Sequence, residues 1–397
     1  MWRKKTTLCL SLTINLFRIR KWIKIFEMSS IITPVRILNL TPVQLNDSLK
    51  LLGAPTSYTD HILKYVYREC VAGFEEMTGL NSSLKQKLVK YATMSALELL
   101  EERVSADAQT RKMLFRLEDS KTIESTLMFS QNSSTRRERR TVCVSSQVGC
   151  SVGCHFCATG QQGFERNLSV GEIIDQILFF IRRFRGKKTE LGKGGSRGWL
   201  THVVFMGMGE PLANYDNVRQ AIAMLNLPKG MGLGFHQVTL STSGLIPQIS
   251  QLAGEDLQFQ LAVSLHAANN ELRNRLVPIN RKYPLEQLIS ACKEYTSKTG
   301  RNTFIEYALF SGVNDSIHDA DELVHVLDSL KCSINLIIGN PTHSNDFQPS
   351  SLETALAFQG KLIASGIRTM LRVSRGTDIE AGCGQMRSRW LDNRTQD

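Results

Sequence analysis

The chain has 397 residues and an ordinary globular composition, with 42% hydrophobic and 21% charged residues. This composition excludes a largely disordered or collagen-like protein. No apolar run approaches the roughly 18 residues that span a bilayer, so an integral membrane protein is not expected. The net charge of +11 is compatible with a polyanionic partner but does not require one.

Residues 1–27 form a basic segment that holds seven Lys or Arg residues and a single acid, Glu27, and ends just before Met28. A segment of this kind is typical of an organelle transit peptide, but translation that starts at Met28 explains it equally well. We expect the segment to be dispensable for chemistry in vitro. The expected location is the cytoplasm, or a mitochondrion or plastid if residues 1–27 are a transit peptide.

Residues 41–120 are predicted to be helical. Thr41 followed by Pro42 is typical of a helix start, and Leu45 and Leu49 then share one helix face. Further apolar stripes of the same period continue to Leu97. No catalytic constellation occurs here, so we expect a small accessory domain.

From about Thr141 the pattern changes to alternating short strands and helices, which is typical of parallel β/α architecture. Strands are predicted at 142–145, 202–206, 237–241, 258–265, 303–309, 333–338 and 367–373. Helices are predicted at 171–185, 216–226, 245–253, 285–298, 319–330 and 351–365. Polar and glycine-rich motifs directly follow several of the strands. Because a β/α barrel carries its chemistry at the carboxyl ends of its strands, this placement favours a full or partial barrel.

Three of the nine cysteines, Cys150, Cys154 and Cys157, lie within eight residues directly after the first predicted strand of this region. Thiolates on a short loop can hold an iron–sulfur cluster, and three ligands leave one iron of a four-iron cluster open for a substrate. S-adenosylmethionine (SAM) can chelate such an iron, and an electron from the cluster can then cleave its sulfonium. The spacing therefore predicts radical chemistry on SAM.

A zinc site is the alternative for the same loop, with His155 or a distant cysteine as the fourth ligand. His155 lies between the cysteines, and no second Cys or His pair has zinc-like spacing. The cysteines without comparable flanks are expected to be structural or incidental, namely Cys9, Cys70, Cys292 and Cys332.

Around these cysteines the sequence resembles the RlmN/Cfr family of radical-SAM RNA methyltransferases. The runs that carry the resemblance are Arg140 to Leu168, Phe205 to Asn214, Val238 to Gly244, Ser264 to His266, Val277 to Asn280 and Arg375 to Gln385. It covers about residues 40–390, tightly in the core and loosely in the helical region.

The resemblance implies an α/β fold, a partial (β/α)6 radical-SAM barrel with a small N-terminal helical accessory domain. It divides the chain into the extension at 1–27, a helical RNA-contacting domain at 28–120, a methyltransferase core at 121–390 and a tail at 391–397. The implied cofactors are a [4Fe-4S] cluster held by the three clustered cysteines and SAM, two molecules per turnover. The implied partners are structured RNA (rRNA, tRNA or both) and an electron donor of flavodoxin or ferredoxin type. No membrane is involved, and a monomer is expected.

An adenine carbon such as C2 is not nucleophilic, so it cannot attack the methyl group of SAM directly. In the mechanism that the resemblance implies, Cys383 first takes a methyl group from one SAM. A second SAM is then cleaved at the cluster, and the resulting radical removes a hydrogen atom from the methyl group on Cys383. The carbon radical adds to the adenine, Glu124 accepts the C2 proton, and Cys143 releases the product through a transient disulfide with Cys383. Taken alone, Cys383 is also consistent with a small residue in a glycine-rich loop, Cys143 with a core strand cysteine and Glu124 with an exposed strand glutamate.

The implied SAM-binding residues are Gly209, Glu210, Ser241, Ser264, Leu265, His266 and Asn340. Gly209 and Glu210 would approach the amino group, and the others the carboxylate, ribose and adenine. Taken alone, His266 is more typical of a hydrogen-bonded core histidine, and the glycines are weak evidence for a nucleotide site.

Two motifs depart from the family pattern. Gly382 precedes Cys383 where the family usually has a second alanine, and Asn340-Pro341 is followed by an atypical Thr-His-Ser. Pro211 and Ser243 resemble the branch that methylates C2 rather than C8. The resemblance predicts an RNA adenosine C2-methyltransferase. A C8-methylating enzyme, a relative acting only on tRNA and a non-catalytic RNA-binding relic are the alternatives, and the intact cysteines argue against the relic.

Overall fold

The computed structural model describes residues 34–131, 138–185, 199–339, 347–372, 376–380 and 382–394. The extension at 1–27 and Asn340 lie outside these residues, so what the sequence predicts for them stays a prediction. Among the described residues, no helix is both long and apolar enough to cross a lipid bilayer.

The first part of the described chain is helical, as predicted. Its helices are α1 (Pro42–Leu51), α2 (Tyr58–Lys64, which continues as a π-helical turn over Tyr65–Glu69) and α3 (Ser82–Tyr91), and two short strands, β1 (Val35–Arg36) and β2 (Ala92–Thr93), pair in parallel at its ends. The predicted start of α1 is confirmed, because the hydroxyl of Thr41 accepts from the Gln44 amide at 3.3 Å and the Gln44 side chain accepts from the Thr41 amide at 2.9 Å.

The prediction of helix for residues 41–120 is wrong beyond α3. The chain instead forms three antiparallel strands, β3 (Glu98–Val104), β4 (Thr110–Arg116) and β5 (Thr122–Gln131). The residues of β3 are mostly good helix formers. Pairing with β4 from Glu98↔Arg116 to Val104↔Arg111 overrides that local preference.

The predicted parallel β/α region is confirmed. Each predicted strand and helix is present, and its observed ends lie within four residues of the predicted ends. Its parallel strands are β6 (Glu138–Cys143), β9 (His202–Phe205), β10 (Val238–Thr242), β11 (Gln260–Ser264), β12 (Thr303–Leu309), β13 (Cys332–Ile338) and β14 (Thr369–Arg372). Between β6 and β9, the short strands β7 (Gln147–Gly149) and β8 (Phe164–Asn167) pair with each other.

The helices of this region are α4 (Ala158–Gln161), α5 (Val170–Phe184), α6 (Tyr215–Asn226), α7 (Ile246–Leu252), α8 (Asn270–Leu276), α9 (Leu285–Thr299), α10 (Ile317–Val326), α11 (Leu352–Ala364) and α12 (Gln385–Arg394). The helix α5 begins at a capping box in which Ser169 accepts from the Glu172 amide and the Glu172 carboxylate accepts from the Ser169 amide. The apolar faces of the longer helices join the strand side chains in one large core, and α8 packs in a second, smaller cluster with Val152 and Phe310.

Within the described residues, ten strands form one sheet in the order β14-β13-β12-β11-β10-β9-β6-β5-β4-β3. The parallel strands form the partial barrel, and the antiparallel strands β5, β4 and β3 extend it beyond β6. Because parallel strands present their carboxyl ends at one edge, the loops after β6, β9, β10 and β11 meet there. The predicted motifs lie on these loops.

Candidate active site

The three clustered cysteines lie on the loop between β7 and α4. The loop is held by its own backbone, with the Cys150 amide donating to the Gly163 carbonyl at 2.8 Å and the Cys157 amide to the Cys154 carbonyl at 3.2 Å. The side chain of His155 is turned to the neighbouring helix, where its Nδ1 lies 2.6 Å from the Arg275 carbonyl oxygen. In this arrangement that ring nitrogen is engaged with the protein backbone.

The surroundings of the three thiols suit an iron–sulfur cluster. Burial raises the pKa of Cys150 to about 12 and that of Cys154 well above its usual value, and the negative charges of the other thiolates add to the effect. Burial also raises the pKa of Cys157, and the backbone amides of Gly160 and Thr159, which donate to its sulfur, partly offset that shift. A bound metal supplies the positive charge that such buried thiolates need, and amide donors to sulfur are typical of cluster sites.

Among the described residues, no three Cys, His, Asp or Glu side chains converge closely enough to hold a single metal ion. The donor set of this loop is three thiols, which fits the multi-iron group that the sequence predicts. Cys150, Cys154 and Cys157 would hold it.

Gly209 and Glu210 follow β9 and lie against the loop after β6. Gly209 has a φ of 103°, and a Cβ on it would stand 2.6 Å from the Cβ of Gln147, so both its conformation and its surroundings require glycine. The buried carboxylate of Glu210 accepts from the Leu212 amide at 3.0 Å and from the Ser243 amide at 2.7 Å. Burial raises the pKa of Glu210, and these amide donors partly offset that shift.

Ser241 and Ser264 end neighbouring strands, and their hydroxyl oxygens lie 3.4 Å apart. The side chain of Leu265 is buried in the core, and its amide donates to the Glu306 carbonyl at 3.0 Å. Its carbonyl accepts from the buried Arg273 guanidinium at 3.1 Å. Asn340 lies outside the described residues.

His266 combines a left-handed backbone, with a φ of 61°, and a buried ring. Its Nδ1 accepts from the Ala308 amide at 3.0 Å, which leaves the proton on Nε2. Burial, together with the positive charge of Arg273, lowers the pKa of His266 to about 3. The imidazole is a neutral donor at the edge of the site.

Arg273 was not singled out from the sequence, yet it ties the site loops together. Its guanidinium is fully buried and donates to the Ser243 carbonyl at 2.7 Å, the Leu265 carbonyl at 3.1 Å and the Asn280 side chain at 2.8 Å. Burial lowers the pKa of Arg273 to about 10, and the negative charge of the nearby Cys154 thiolate opposes that shift. Arg273 lies one turn into α8, whose residues are mostly polar, so the sequence does not distinguish it from a surface arginine.

The structure brings Cys383 close to the loop of the three clustered cysteines, residues 150–157, which we call the cluster loop. The Cys383 thiol lies 3.1 Å from the hydroxyl of Thr159, which is two residues beyond Cys157. Burial raises the pKa of Cys383 well above its usual value, with the charges of Cys157, Glu124 and Cys143 acting in the same direction and the Thr159 hydrogen bond opposing them. The predicted proton acceptor Glu124 is in contact with the same segment, because it accepts from the Gly384 amide at 2.8 Å.

Cys143 and Glu124 lie on neighbouring strands. Cys143 is half-buried at the end of β6, opposite Thr126 of β5, and burial raises its pKa to about 12. Glu124, two residues before Thr126 and thus on the same face, is buried rather than exposed. The described cysteines, including Cys143 and Cys383, are free thiols.

The Glu124 carboxylate has three hydrogen-bond donors around it. It accepts from the Gly384 amide at 2.8 Å and the Arg387 amide at 2.5 Å, and it pairs with the Lys112 ammonium at 2.8 Å. Neither Thr159 nor Lys112 is predicted from the sequence. Lys112 follows Arg111, and such a basic pair gives no signal for a buried role.

Comparison with known proteins identifies two parts of the chain. The profile of the Radical SAM superfamily matches residues 144–324, and that of the ribosomal RNA large subunit methyltransferase N-terminal domain matches residues 35–94. The second match ends three residues after α3, before the antiparallel strands begin.

Similarity to whole proteins extends over most of the chain. It is 41% identical to the probable dual-specificity RNA methyltransferase RlmN of Dictyoglomus turgidum, over 90% of this chain and 98% of that protein. Identity to the RlmN of Thermotoga neapolitana is 44%, over 88% of this chain and 97% of the relative. The crystal structure of a radical SAM methyltransferase from Sphaerobacter thermophilus superposes with a TM-score of 0.82 at 42% identity, covering 89% of this chain and 99% of that one. The chain belongs to the RlmN family of radical SAM methyltransferases, and it is an enzyme.

Proposed function

We propose that this enzyme methylates C2 of an adenosine in structured RNA and carries the methyl group on Cys383 in the course of the reaction. The observation that carries the proposal is the position of Cys383, whose buried thiol lies beside Thr159, two residues after the cluster loop, and among Cys157, Glu124 and Cys143. Two cysteines outside the cluster and one carboxylate are what the mechanism implied by the family requires. Glu124 accepts from the Gly384 amide beside Cys383, and Cys143 lies on the strand next to that of Glu124.

Each of these residues has a separate task in the proposal. The sulfur of Cys383 attacks the methyl group of one SAM, so a thioether forms as the bond between the methyl carbon and the sulfonium breaks and S-adenosylhomocysteine leaves. When bound, the [4Fe-4S] cluster on Cys150, Cys154 and Cys157 supplies the electron that cleaves a second SAM, so that a hydrogen atom is removed from this methyl group. Cys383 then holds the reactive carbon against the adenine ring.

SAM would lie at the carboxyl ends of the parallel strands, where the structure gathers polar groups. We propose that Gly209 and Glu210 approach its amino group. The remaining contacts, to its carboxylate, ribose and adenine, would come from Ser241, Ser264, the Leu265 carbonyl, the neutral His266 and Asn340. The hydrogen bond from the Ser243 amide to Glu210 supports a fixed carboxylate at this edge.

Glu124 is the proposed acceptor of the C2 proton. In the described structure its two carboxylate oxygens accept from Gly384, Arg387 and Lys112. An ionised carboxylate has about four acceptor sites, so these three donors leave one site for the C2 proton. Once Glu124 has taken the C2 proton and the adduct has returned one electron to the electron-transfer partner, the Cys143 thiolate attacks the Cys383 sulfur. The carbon–sulfur bond breaks, a transient Cys143–Cys383 disulfide forms, and the released carbon takes a proton to become the methyl group.

Structured RNA, rRNA or tRNA, is the proposed substrate. The relatives named above are called dual-specificity RNA methyltransferases. The helix α3 supports an RNA-contacting role for the helical domain, since it carries Lys85, Lys87 and Lys90 and no acid. A flavodoxin- or ferredoxin-type protein would supply the electron to the monomeric enzyme.

The test compares three single variants of the reconstituted enzyme incubated with SAM, reductant and total RNA. Cys143→Ala loads the methyl group but cannot release the product, so a denaturing gel is expected to show a nuclease-sensitive protein–RNA adduct. Cys383→Ala is expected to keep the cluster and SAM binding but to show neither adduct nor methylation. Cys332→Ala, which changes a cysteine outside the site, is the control and is expected to behave as the wild type.

Nucleoside mass spectrometry of the wild-type product completes the test, with 2-methyladenosine as the expected product. 8-Methyladenosine would assign the enzyme to the other branch, and no methylated nucleoside from any RNA would favour the RNA-binding relic. Free 2-methyladenosine at the wild-type rate from Cys143→Ala or Cys383→Ala would overturn the two-cysteine mechanism.

A further inference from the structure

Lys112 is a buried lysine in the middle of β4, with only 1% of its surface exposed. Its ammonium group lies 2.8 Å from the Glu124 carboxylate, 2.8 Å from the Glu380 carbonyl oxygen and 2.7 Å from the Gly382 carbonyl oxygen. An ammonium group has three hydrogens to donate, so the hydrogen-bonding capacity of Lys112 is fully used.

Two of these three bonds go to the segment that carries Cys383. The Glu380 and Gly382 carbonyls lie directly before the cysteine, 268 and 270 residues along the chain from Lys112. The third bond goes to Glu124, which itself accepts from the Gly384 amide on the other side of the cysteine. Lys112 and Glu124 together therefore hold the backbone on both sides of Cys383.

The remainder of the segment is fastened to the same antiparallel strands. Glu380 has a left-handed backbone, with a φ of 54°, which costs free energy for a residue with a Cβ. Its carboxylate pairs with Arg103 of β3 at 2.9 Å and with Arg389 of α12 at 3.1 Å. Asp378 accepts from the Ala106 amide, between β3 and β4, at 2.7 Å.

Glu124 also acts at the start of α12. The first amides of a helix have no partner within the helix, and a carboxylate there is stabilised by the helix dipole. Glu124 accepts from Gly384 and Arg387 at this position. The Lys112–Glu124 pair thus connects the antiparallel strands to both the carbonyls before Cys383 and the amides after it.

We propose that Lys112 is a positioning residue that fixes Cys383 against the cluster loop for methyl transfer. It touches none of the reacting atoms and acts through the backbone on either side of the cysteine. The proposal rests on the proposed function, because it assumes that Cys383 accepts the methyl group. In this proposal the antiparallel strands β3, β4 and β5 form the surface that holds the backbone on either side of Cys383.

The test uses Lys112→Met, which keeps the length and apolar stem of the side chain but removes its donors. Arg111→Met is the matched control, because Arg111 is the adjacent residue on the same strand and pairs instead with Glu102 at 3.1 Å.

The first readout needs neither SAM nor RNA. In cluster-loaded protein, alkylation of Cys383 by iodoacetamide, followed by peptide mass spectrometry, is expected to be about tenfold faster or more in Lys112→Met, because the segment opens locally. It is expected to be unchanged in Arg111→Met.

The second readout is the rate at which Cys383 gains a methyl group from SAM. A displacement of about 1 Å in a reacting group can cost about 10²-fold in rate, so a decrease of that order is expected for Lys112→Met. Cluster absorbance and the KM for SAM are expected to stay at wild-type values. A merely structural role would lower cluster content and SAM binding along with the loading rate.

Lys112→Met leaves Glu124 without its ion-pair partner, and loss of one partner of a buried pair can prevent folding. The double variant Lys112→Met/Glu124→Gln removes both charges and is expected to show the same fast alkylation of Cys383. Wild-type protection of Cys383 in a folded variant that lacks Lys112 would overturn the proposal. Absence of a methyl group on Cys383 in the wild type would instead contradict the proposed function, and the alkylation comparison would still decide the role of Lys112.

Discussion

The hydroxyl of Thr159 lies 3.1 Å from the thiol of Cys383, although the two residues are 224 positions apart in the chain. Thr159 lies in the first turn of α4, two residues after the predicted cluster ligand Cys157. The contact brings the proposed methyl carrier to the loop where SAM would bind, and the hydrogen bond lowers the pKa of Cys383 against the effect of burial.

Replacing Thr159 tests whether this contact assists methyl loading. A hydrogen bond of this kind is worth about 1 kcal/mol, so Thr159→Val is expected to slow the loading of Cys383 about fivefold. The rate is measured by mass spectrometry of the Cys383 peptide at intervals after SAM is added. Thr159→Ser keeps the hydroxyl and is the control. Equal rates in the valine and serine variants would show that the hydrogen bond has no part in loading.

Gly384 is the residue after Cys383 and packs against Thr159. Its φ is 80°, and a Cβ on it would stand 2.4 Å from the Thr159 hydroxyl and 2.6 Å from the Thr159 amide nitrogen. Gly384→Ala is therefore expected to displace the segment and to reduce methylation of Cys383 about 10²-fold, while far-ultraviolet circular dichroism stays unchanged.

A second glycine separates steric conflict from backbone strain. Gly366 has a φ of 83° and nothing within 4 Å of an added Cβ. Gly366→Ala is expected to cost about 1–2 kcal/mol of stability through the left-handed backbone alone and to leave methylation intact. If Gly384→Ala loads Cys383 as fast as Gly366→Ala does, the tight packing against Thr159 is not needed for the reaction.

The cluster ligands are tested one at a time. Cys150→Ala, Cys154→Ala and Cys157→Ala are each expected to abolish both the visible absorbance after anaerobic iron–sulfide reconstitution and the methylation of RNA, because each thiolate holds one iron. Cys292→Ala changes a buried core cysteine and is expected to keep the absorbance. Full absorbance and activity in any of the three ligand variants would show that this cysteine is not a ligand.

His266 is expected to make stability depend on pH. Its pKa is about 3 in the folded protein and about 6.5 in the unfolded chain. Between these values the unfolded chain binds a proton that the folded protein does not, so stability is present above pH 6.5 and is lost as the pH falls. At pH 5.0 the loss amounts to about 2 kcal/mol.

The measurement compares urea unfolding at pH 7.5 and 5.0 for the wild type and His266→Asn. Asparagine tolerates the left-handed backbone and keeps an acceptor for the Ala308 amide, but it does not titrate. The decrease in stability is expected to be about 2 kcal/mol smaller in the variant. Parallel decreases in the two proteins would place the pH dependence in other groups.

The sequence alone was sufficient for the β/α core and for the cluster loop. The strands from β9 to β14 alternate with helices whose period is visible in the chain, so local pattern and tertiary packing agree. The spacing of Cys150, Cys154 and Cys157 likewise expresses a local geometry, because the three residues share one short loop. The start of α1 at Thr41 and Pro42 is another local feature, since its hydrogen bonds stay within one turn.

The antiparallel strands could not be recognised in the same way. The sequence of β3, Glu-Leu-Leu-Glu-Glu-Arg-Val, has the composition of a helix, and β3 is a strand because β4 pairs with it. A half-exposed edge strand shows little apolar alternation, so only its partner decides its structure. This is why the helical prediction extended too far, to residue 120.

The tertiary structure also decided which residues surround Cys383. Lys112, Thr159 and Arg273 act through contacts with chain segments that their local sequence does not specify. Lys112 lies on β4 and Glu124 on β5, so the two strands must pair before both side chains can contact the segment that carries Cys383. The sequence determined the chemical groups available to this enzyme, and long-range packing determined which of them meet, because the direction of a side chain in a sheet is fixed only by register with its neighbours.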